Sequence, residues 1–267
     1  MEINEQKAFI GFKVEKRTFT CPIHGEYEEN VFIGANDRVQ PLCPMCVKEE
    51  HKKADEKNAM LYRNSFLATT LEEECGVPTN NSDNSFDNFD AYNESLKISL
   101  ETAKKFCTST RNSLVMLGKN GNGKTHLAVS CMREQVIKNP DTPDCLYVKE
   151  AILIKEMKAT FSNKKYKEAD VLRKYEKCSL LVIDEFGRAK DSDYSDSTMD
   201  TLISERLEND KLKTIIISNM SKEAFTERAG EWIISRINLN GVTIGFSESD
   251  YRVIKRRNES TGGVNGT

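Results

Sequence analysis

Continuous apolar runs of strand length alternate with amphipathic segments from about residue 92 onward. The runs are SLVML (113–117), CLYVK (145–149), SLLVID (179–184), KTIIIS (213–218) and VTIGF (242–246). Apolar positions at helical spacing predict intervening helices, three of which cover 92–108, 124–138 and 197–209. Strands that are apolar on both faces and alternate with helices are typical of a buried parallel sheet. The pattern therefore predicts an α/β fold with a three-layer αβα parallel sheet.

The first 85 residues lack this alternation. Residues 17–48 contain short extended runs and turns, whereas the mixed charges from Val47 to Phe66 predict a solvated helix. The stretch CGVPTNNSDNSFDNFD is rich in Asn, Ser and Asp, which is typical of a linker. We therefore predict four parts: an N-terminal module with its helix (1–63), a linker (64–85), the α/β domain (86–257) and a disordered tail (258–267).

Composition narrows the class of protein. The 267 residues carry a net charge of −3, so the whole chain lacks the basic excess that indicates nucleic-acid binding. Its apolar runs are too short to span a membrane, and its first residues lack the apolar core of a signal peptide. We therefore expect a cytoplasmic protein without a membrane partner. In that reducing compartment, eight cysteines favour metal binding or catalysis over disulfides.

A glycine-rich segment follows the first apolar strand of the domain and opens a helix. It runs GKNGNGKT from Gly118 and fits G-x4-G-K-[ST], with Gly121 and Gly123 inside and Lys124 and Thr125 at its end. Glycines let the backbone N–H groups surround phosphate oxygens, and the helix N-terminus adds a positive dipole end. The segment predicts a nucleotide site in which Lys124 reaches the β and γ phosphates and Thr125 binds Mg²⁺.

Polar side chains end two further buried strands. Asp184 and Glu185 follow LLVI, and Asn219 follows TIIIS. Acids at the carboxyl edge of a parallel sheet lie where α/β proteins bind ligands, so we expect Asp184 to hold Mg²⁺ through water and Glu185 to activate the attacking water. Asn219 either contacts that water or the γ-phosphate, or it caps the following helix.

Four possible metal ligands form two close pairs near the N-terminus: Cys21 and His24, then Cys43 and Cys46. A disulfide does not suit the compartment, and a redox pair would leave Cys21 and His24 without a role. Thiolates and imidazole around one ion are typical of structural Zn²⁺, which would also supply the folding energy that so short a module lacks. The other cysteines are predicted to be buried free thiols, namely Cys75, Cys107, Cys131, Cys145 and Cys178.

Together these motifs resemble the AAA+ branch of P-loop ATPases. More narrowly, they resemble the DnaC-type replicative helicase loaders and the related IstB-type transposition ATPases. The resemblance covers 86–252 and rests on FDNFDAYN, LVMLGKNGNGKTHLAV, SLLVIDEFGR, LISERLENDKLKTIIISNM, IISRI and VTIGFSESDYR. It implies a P-loop AAA+ ATPase with ATP and Mg²⁺ as cofactors. Only 48 residues follow Asn219, which leaves no room for a helical lid domain.

The resemblance also assigns roles to single residues. Lys124 and Thr125 correspond to Walker A, Asp184 and Glu185 to Walker B, and Asn219 to sensor 1. Four further positions follow from the same resemblance. Arg236, in IISRI, matches the arginine finger that reaches a neighbouring subunit's ATP site, and Phe86 and Phe89 fall where the family closes over the base. Arg252 falls near the end of the ATPase module.

Basic residues are concentrated between residues 149 and 177. Lys158, Lys164, Lys165 and Lys167 lie there with Tyr166. They form either a solvated helical face or a groove for single-stranded DNA with an aromatic ring for base stacking. The helix over 197–209 lies where the loaders carry a family-specific insertion and is a second candidate for DNA contact, although it is not basic.

Three functions are compatible with these features. The favoured one is a helicase loader that binds a DnaB-type hexamer, places it on single-stranded DNA, self-associates through its ATPase interface and hydrolyses ATP slowly. The alternative is an IstB-like transposition helper that binds DNA, but the zinc module favours the loader. A binding module that uses ATP only for structure is disfavoured by the intact Asp184, Glu185 and Arg236.

Overall fold

The computed structural model describes residues 14–32, 41–162, 167–188 and 193–246. The chain divides into two compact units, Met1–Arg63 and Asn64–Thr267. In the first unit, strands β1 (Val14–Cys21) and β2 (Gly25–Phe32) form an antiparallel hairpin. Helix α1 (Pro44–Glu73) begins in this unit and ends in the second. It begins three residues before the predicted start, so Cys46 lies in its first turn.

The second unit is an α/β domain with a five-stranded parallel sheet in the order β4-β5-β6-β3-β7. Its elements are α2 (Glu94–Thr108), β3 (Ser113–Gly118), α3 (Lys124–Lys138), β4 (Cys145–Lys149), α4 (Glu150–Ala159), α5 (Glu168–Lys177), β5 (Leu180–Asp184), α6 (Asp193–Glu208), β6 (Lys213–Ser218), α7 (Lys222–Asn240) and β7 (Gly241–Phe246). The predicted three-layer parallel fold is confirmed. Within the described ranges, no helix has the length and apolar character needed to cross a bilayer.

Alternate residues of each central strand pack into different cores, because successive strand side chains point to opposite faces. Leu114 and Met116 of β3 pack with α2 and α3, whereas Val115 packs with α4 to α7. Both cores are apolar, which is why the strand sequences show no polar face. Arg252, the tail 258–267, Lys164, Lys165 and Tyr166 lie outside the described residues.

The predicted linker over 64–85 is wrong, because this segment is part of the domain core. Helix α1 continues to Glu73, and Leu67, Leu71, Cys75 and Val77 are buried against the face formed by α2 and α3. The main-chain N–H of Tyr147 donates to the carbonyl oxygen of Cys75 at 2.8 Å. The Asn- and Ser-rich composition concealed these four anchors, whose burial fixes the segment to the domain.

A buried guanidinium joins three elements on the other face of the sheet. Arg206 of α6 is fully buried, and its Nη1 donates to the carbonyl oxygens of Tyr175 (2.7 Å) and Cys178 (2.8 Å). Its Nη2 and Nε donate to the Lys213 carbonyl (2.6 Å) and the Thr214 hydroxyl (3.0 Å). The arginine thereby satisfies carbonyls at the end of α5 that have no intrahelical partner.

We expect Arg206→Met to lower the free energy of unfolding by about 3 kcal/mol or more. The substitution leaves several carbonyls buried without a donor, and each such group costs about 1–3 kcal/mol. Denaturant unfolding measures the change. The matched control is Arg173→Met on exposed α5 surface, which should stay within about 0.5 kcal/mol of the wild type. Equal stability of the two variants would contradict the role assigned to Arg206.

Candidate nucleotide site and metal centre

A cleft of about 500 Å³ opens at the carboxyl edge of the sheet. Its walls combine residues from the glycine-rich loop, the ends of β4, β5 and β6, and the segment after α1. The predicted site residues among them are Gly121, Gly123, Lys124, Thr125, Asp184, Glu185 and Asn219. The structure therefore brings together in one cleft side chains that are separated by up to about a hundred residues in sequence.

Glycines are required in the loop because its backbone adopts positive φ angles, which residues with a Cβ atom rarely adopt. Gly118, Gly121 and Gly123 have φ values of 141°, 82° and 85°. A Cβ atom on Gly123 would lie 2.7 Å from the Phe89 ring, so a side chain is excluded there by contact as well as by conformation. Gly123 directly precedes α3, whose first N–H groups lack intrahelical acceptors and face an anion site.

The Lys124 ammonium lies inside this loop. Nζ donates to the carbonyl oxygens of Gly118 (2.7 Å) and Lys119 (2.6 Å). Burial lowers the pKa of Lys124 to about 8, while the nearby Asp184 carboxylate acts in the opposite direction. The group therefore remains mostly charged at neutral pH and is held where a phosphate would meet it.

Asp184 and Thr125 meet across the cleft although 59 positions separate them. The Thr125 hydroxyl donates to Asp184 Oδ2 at 3.0 Å, and the buried Tyr147 hydroxyl donates to the same oxygen at 2.5 Å. Burial and the Asp184 charge raise the pKa of Tyr147, which keeps it a neutral donor. A hydroxyl and a carboxylate at this distance are the oxygen ligands that Mg²⁺ takes beside nucleotide phosphates, so the pair fits that ion.

Glu185 is held by two cations that the sequence did not indicate. Lys149 Nζ lies 3.0 Å from one carboxylate oxygen, and Arg188 Nη1 lies 3.1 Å from the other. Glu185 itself has a φ of 57°, which is uncommon for a residue with a side chain. Lys149 ends β4, which pairs with β5, so only the strand order places it beside Glu185.

Asn219 is exposed and lines the cleft at the end of β6. The alternative interpretation, that it caps the next helix, is wrong: the N-cap of α7 is Ser221, whose side chain accepts the Ala224 N–H. Arg236 is not among the residues that line this cleft. Its guanidinium lies 5.0 Å from the ring centroid of Trp232, one turn earlier on α7.

The segment predicted as a linker supplies one wall of the cleft, through Pro78, Asn80, Asn81 and Asn84. Phe86 and Phe89 instead pack partly buried against the core. Phe89 also makes an edge contact with the ring of His126, with 5.1 Å between centroids. The sequence did not predict this wall because the segment has no periodic pattern of apolar residues. The apolar residues before Pro78 were the signal that could have indicated an anchored segment.

At the end of α4, Lys158 of the basic segment lies near a pair of aromatic rings. Lys158 lies 6.0 Å from the ring centroid of Tyr194, and Phe161 makes an edge contact with the same ring. Phe161 is 64% exposed. The described aromatic residues here are thus Phe161 and Tyr194, neither of which was singled out in the sequence.

The four cysteine and histidine ligands converge in the first unit. Cys21 Sγ lies 3.6 Å from Cys46 Sγ, and His24 Nδ1 lies 3.8, 3.7 and 3.4 Å from the sulfurs of Cys21, Cys43 and Cys46. Zn–S and Zn–N bonds of about 2.3 and 2.0 Å give tetrahedral edges of about 3.5–3.8 Å. All four ligand atoms lie within 4.8 Å of one another. The geometry therefore fits one tetrahedral zinc ion.

Hydrogen bonds from neighbouring groups act on Cys21 and His24. Hydrogen bonds from the main-chain N–H groups of His24 and Ile23 lower the pKa of Cys21 to about 6, which favours the thiolate. His24 Nε2 lies 3.1 Å from Glu49 Oε1 on α1, which leaves Nδ1 as the ligand atom. Glu49 was not identified from the sequence, because its helical position three residues after Cys46 matters only once α1 is known to begin at Pro44.

Comparison with known sequences places these sites in a family. Residues 52–239 match the family described as IstB-like ATP binding protein. The replicative helicase loader DnaC of Escherichia coli K12 is 25% identical over 232 residues, which span 80% of this chain and 93% of that protein. The loader DnaC of Buchnera aphidicola from Acyrthosiphon pisum is 28% identical over 180 residues, 66% of this chain and 72% of that protein.

Solved structures show the same fold. A crystal structure of the DnaC helicase loader aligns with a TM-score of 0.55 at 23% identity and covers 64% of this chain and 100% of that one. The replication initiator DnaA bound to AMPPCP and single-stranded DNA aligns with a TM-score of 0.54 at 16% identity, over 67% of this chain and 55% of that one. At these identities the likeness concerns the fold alone.

We expect purified protein to contain about one zinc ion per chain, and Cys43→Ser to lose it together with the fold of the hairpin. Elemental analysis measures the metal, and hydrogen exchange over 14–32 measures the fold. The matched control is Cys107→Ser, a partly buried thiol in the second unit, which should keep the metal. Wild-type protein prepared without chelator and free of zinc would contradict the assignment.

Proposed function

This chain belongs to the IstB-like ATP-binding protein family, and from that premise we propose that it is an ATP-dependent loader for a replicative hexameric helicase. The match to the Escherichia coli helicase loader, which spans 93% of that protein, carries the proposal, and the cleft that gathers Lys124, Thr125 and Asp184 supports it. The loader would bind the helicase ring, place it on single-stranded DNA and use ATP to switch between assembly and release.

Lys124 would exchange its two loop carbonyls for β- and γ-phosphate oxygens when ATP enters. The exchange is favourable because an ammonium binds an anionic oxygen more strongly than a neutral carbonyl in a buried site. Thr125 and Asp184 would hold Mg²⁺, Asp184 through water, with Tyr147 fixing the carboxylate. Mg²⁺ supplies charge neutralisation between the phosphates.

Glu185 would act as the general base for the attacking water, with Asn219 orienting the water or the γ-phosphate. In the present geometry both carboxylate oxygens of Glu185 are paired with cations, from Lys149 and Arg188. Neither oxygen is therefore free to accept a proton from water until one of these two ion pairs opens. Slow hydrolysis that accelerates on assembly is the behaviour that such pairing supports.

Arg236 would complete the site of a neighbouring copy, since it lies away from the cleft of its own chain. The Trp232 ring beneath its guanidinium restricts the side chain already in the free chain. Less side-chain conformational entropy is therefore lost when copies assemble. Self-association would therefore bring the Arg236 of one copy to the ATP site of the next. In an assembly that does not close into a ring, the ATP site at one end would lack this arginine. ATP hydrolysis then reports that neighbours are present.

Single-stranded DNA would follow the surface around Lys158, Phe161 and Tyr194. Exposed aromatic rings stack on bases without regard to sequence, and the ammonium pairs with phosphate. Zinc in the first unit would fix the hairpin and the first turn of α1, so that this unit folds despite its small core. A transposition helper is the second candidate, favoured by the family to which residues 52–239 match; it would bind double-stranded DNA instead.

We expect the wild-type protein with ATP to transfer the hexameric replicative helicase of its own cell onto closed circular single-stranded DNA. A closed ring cannot thread a closed circle, so helicase retained on the circle after a salt wash measures loading. Lys124→Ala should remove ATP binding and loading. Glu185→Gln should bind ATP but hydrolyse it about 10²–10⁴ times more slowly, because the general base is lost.

Two controls decide between the candidate functions. Lys105→Ala, on the exposed surface of α2 and outside the basic segment 149–177, should load like the wild type. A linear double-stranded DNA of equal length should retain neither helicase nor much of the protein. ATP-dependent binding to that duplex, with no helicase on the circle, would reject the loader and favour the transposition helper. Hydrolysis by Glu185→Gln at the wild-type rate would reject the role of that residue.

We expect Arg236→Ala to lose most ATP hydrolysis and to regain part of it when mixed with Lys124→Ala. An arginine supplied in trans contributes about 10³–10⁵ in rate in GTPases. In the mixture, an intact ATP site of one variant can face the intact Arg236 of the other. Steady-state hydrolysis measures recovery, and Arg173→Ala mixed with Lys124→Ala is the reference. Full activity of Arg236→Ala alone, or no recovery in mixtures shown to co-assemble, would exclude the trans role.

A further inference from the structure

The loop that carries Glu185 has an unusual backbone. Glu185 has a φ of 57° and Gly187 a φ of 81°, so the chain turns sharply after β5. A side-chain-bearing residue keeps a positive φ only where surrounding contacts hold it there. The position of the Glu185 carboxylate therefore depends on whatever fixes residues 185–188.

Two kinds of contact fix this loop. On the sheet side, the Phe186 N–H donates to the Ile217 carbonyl at 2.9 Å, and the Ser218 hydroxyl donates to the Phe186 carbonyl at 2.7 Å. On the opposite side, the N–H groups of the next two residues, Gly187 and Arg188, donate to one carboxylate oxygen. That oxygen is Oε2 of Glu150, at 2.7 and 3.1 Å.

Glu150 is almost fully buried, with 1% of its surface exposed. Its second carboxylate oxygen lies 3.5 Å from Nη2 of Arg228, whose side chain is 12% exposed. The same guanidinium lies 2.6 Å from Asp196 and 3.5 Å from Asp200 on α6. A buried carboxylate is tolerated when it is paired and hydrogen-bonded; here one oxygen accepts two main-chain hydrogen bonds and the other lies beside the guanidinium.

Arg228 also contacts the loop directly. Its guanidinium carbon lies 5.1 Å from the centre of the Phe186 ring, which makes an edge contact with Phe225 of α7. One arginine thus joins α6, α7, Glu150 at the start of α4, and the residue after Glu185. Neither Glu150 nor Arg228 lines the nucleotide cleft.

We propose that Glu150 and Arg228 are positioning residues that hold the Glu185–Arg188 loop in its sharp turn and thereby aim the Glu185 carboxylate into the cleft. Glu150 binds the loop through two main-chain N–H groups, and Arg228 pairs with the other carboxylate oxygen and so holds Glu150 in place. The consequence for catalysis rests on the proposed ATPase function, whereas the consequence for the loop backbone does not.

The test compares Glu150→Ala and Glu150→Gln in the full-length protein. The alanine variant loses both acceptor bonds to the loop. The glutamine variant keeps an oxygen for Gly187 and Arg188 but turns an amide donor toward Arg228. The matched control is Glu156→Ala, on the same helix, which removes only the surface pair with Lys174 and the Tyr175 hydrogen bond.

We expect Glu150→Ala to raise hydrogen exchange in the peptide covering 185–188 and to leave exchange in the P-loop peptide unchanged. Its kcat for ATP should fall about 10- to 100-fold, as for a misplaced catalytic group, while its affinity for ATP changes less than about twofold. Glu150→Gln should recover part of both losses. Arg228→Gln should change in the same direction as Glu150→Ala, with Arg173→Gln as its control.

Four results would overturn the proposal or separate it from the proposed function. Unchanged exchange at 185–188 in folded Glu150→Ala would overturn the proposal, as would faster exchange with a wild-type kcat. If Glu150→Ala does not fold, Glu150→Gln takes its place. In that variant, wild-type hydrogen exchange at 185–188 together with a 10-fold loss of kcat would show that the loss does not arise from the loop backbone, and would overturn the proposal. If the wild-type protein hydrolyses no ATP, the proposed function fails, and the exchange result alone decides whether Glu150 holds the loop.

Discussion

Parallel pairing of β5 with β4 and β6 is the constraint on which the site depends. The register sets Lys149 opposite Asp184 and Ile183 opposite Ile216, so the strands end at the same edge. That edge receives the P-loop lysine from β3 and α3, the acids from β5 and the amide from β6. A shift of one residue in this pairing would turn every strand side chain to the other face and separate Asp184 from Thr125. The close packing of side chains on both faces makes such a shift costly.

The sequence was sufficient for features that depend on local chemistry. The P-loop, the acids after a buried strand and the alternation of strands with helices each have a short pattern, and the sheet they predicted is confirmed. The residues around Glu185 have no such pattern. Lys149 and Glu150 are ordinary charged residues until β4 is placed beside β5, and Arg228 is an ordinary helix residue until α7 is packed on α6. Their role depends on tertiary neighbours that no local window contains.

Composition led to a wrong prediction where only a few apolar side chains hold a polar segment to the core. The segment over 64–85 is dominated by polar residues, yet four apolar side chains fix it to the core and its asparagines face the cleft. In the first unit the reverse holds, since the four ligands were visible from their spacing. The contact between Glu49 and His24 could not be predicted there, because it depends on the residue at which α1 begins.

The extent of α1 has a consequence for gene fusion and domain shuffling. Its last turns and the residues after it supply Leu67, Leu71, Cys75 and Val77 to the core of the second unit, while its first turn carries Cys46. A recombination point placed at the polar stretch near residue 85 would discard both these side chains and a wall of the cleft. A junction upstream of Asn64 would keep them. New N-terminal modules could therefore be joined to this α/β domain upstream of Asn64, provided that the residues from Asn64 to Glu73 remain helical.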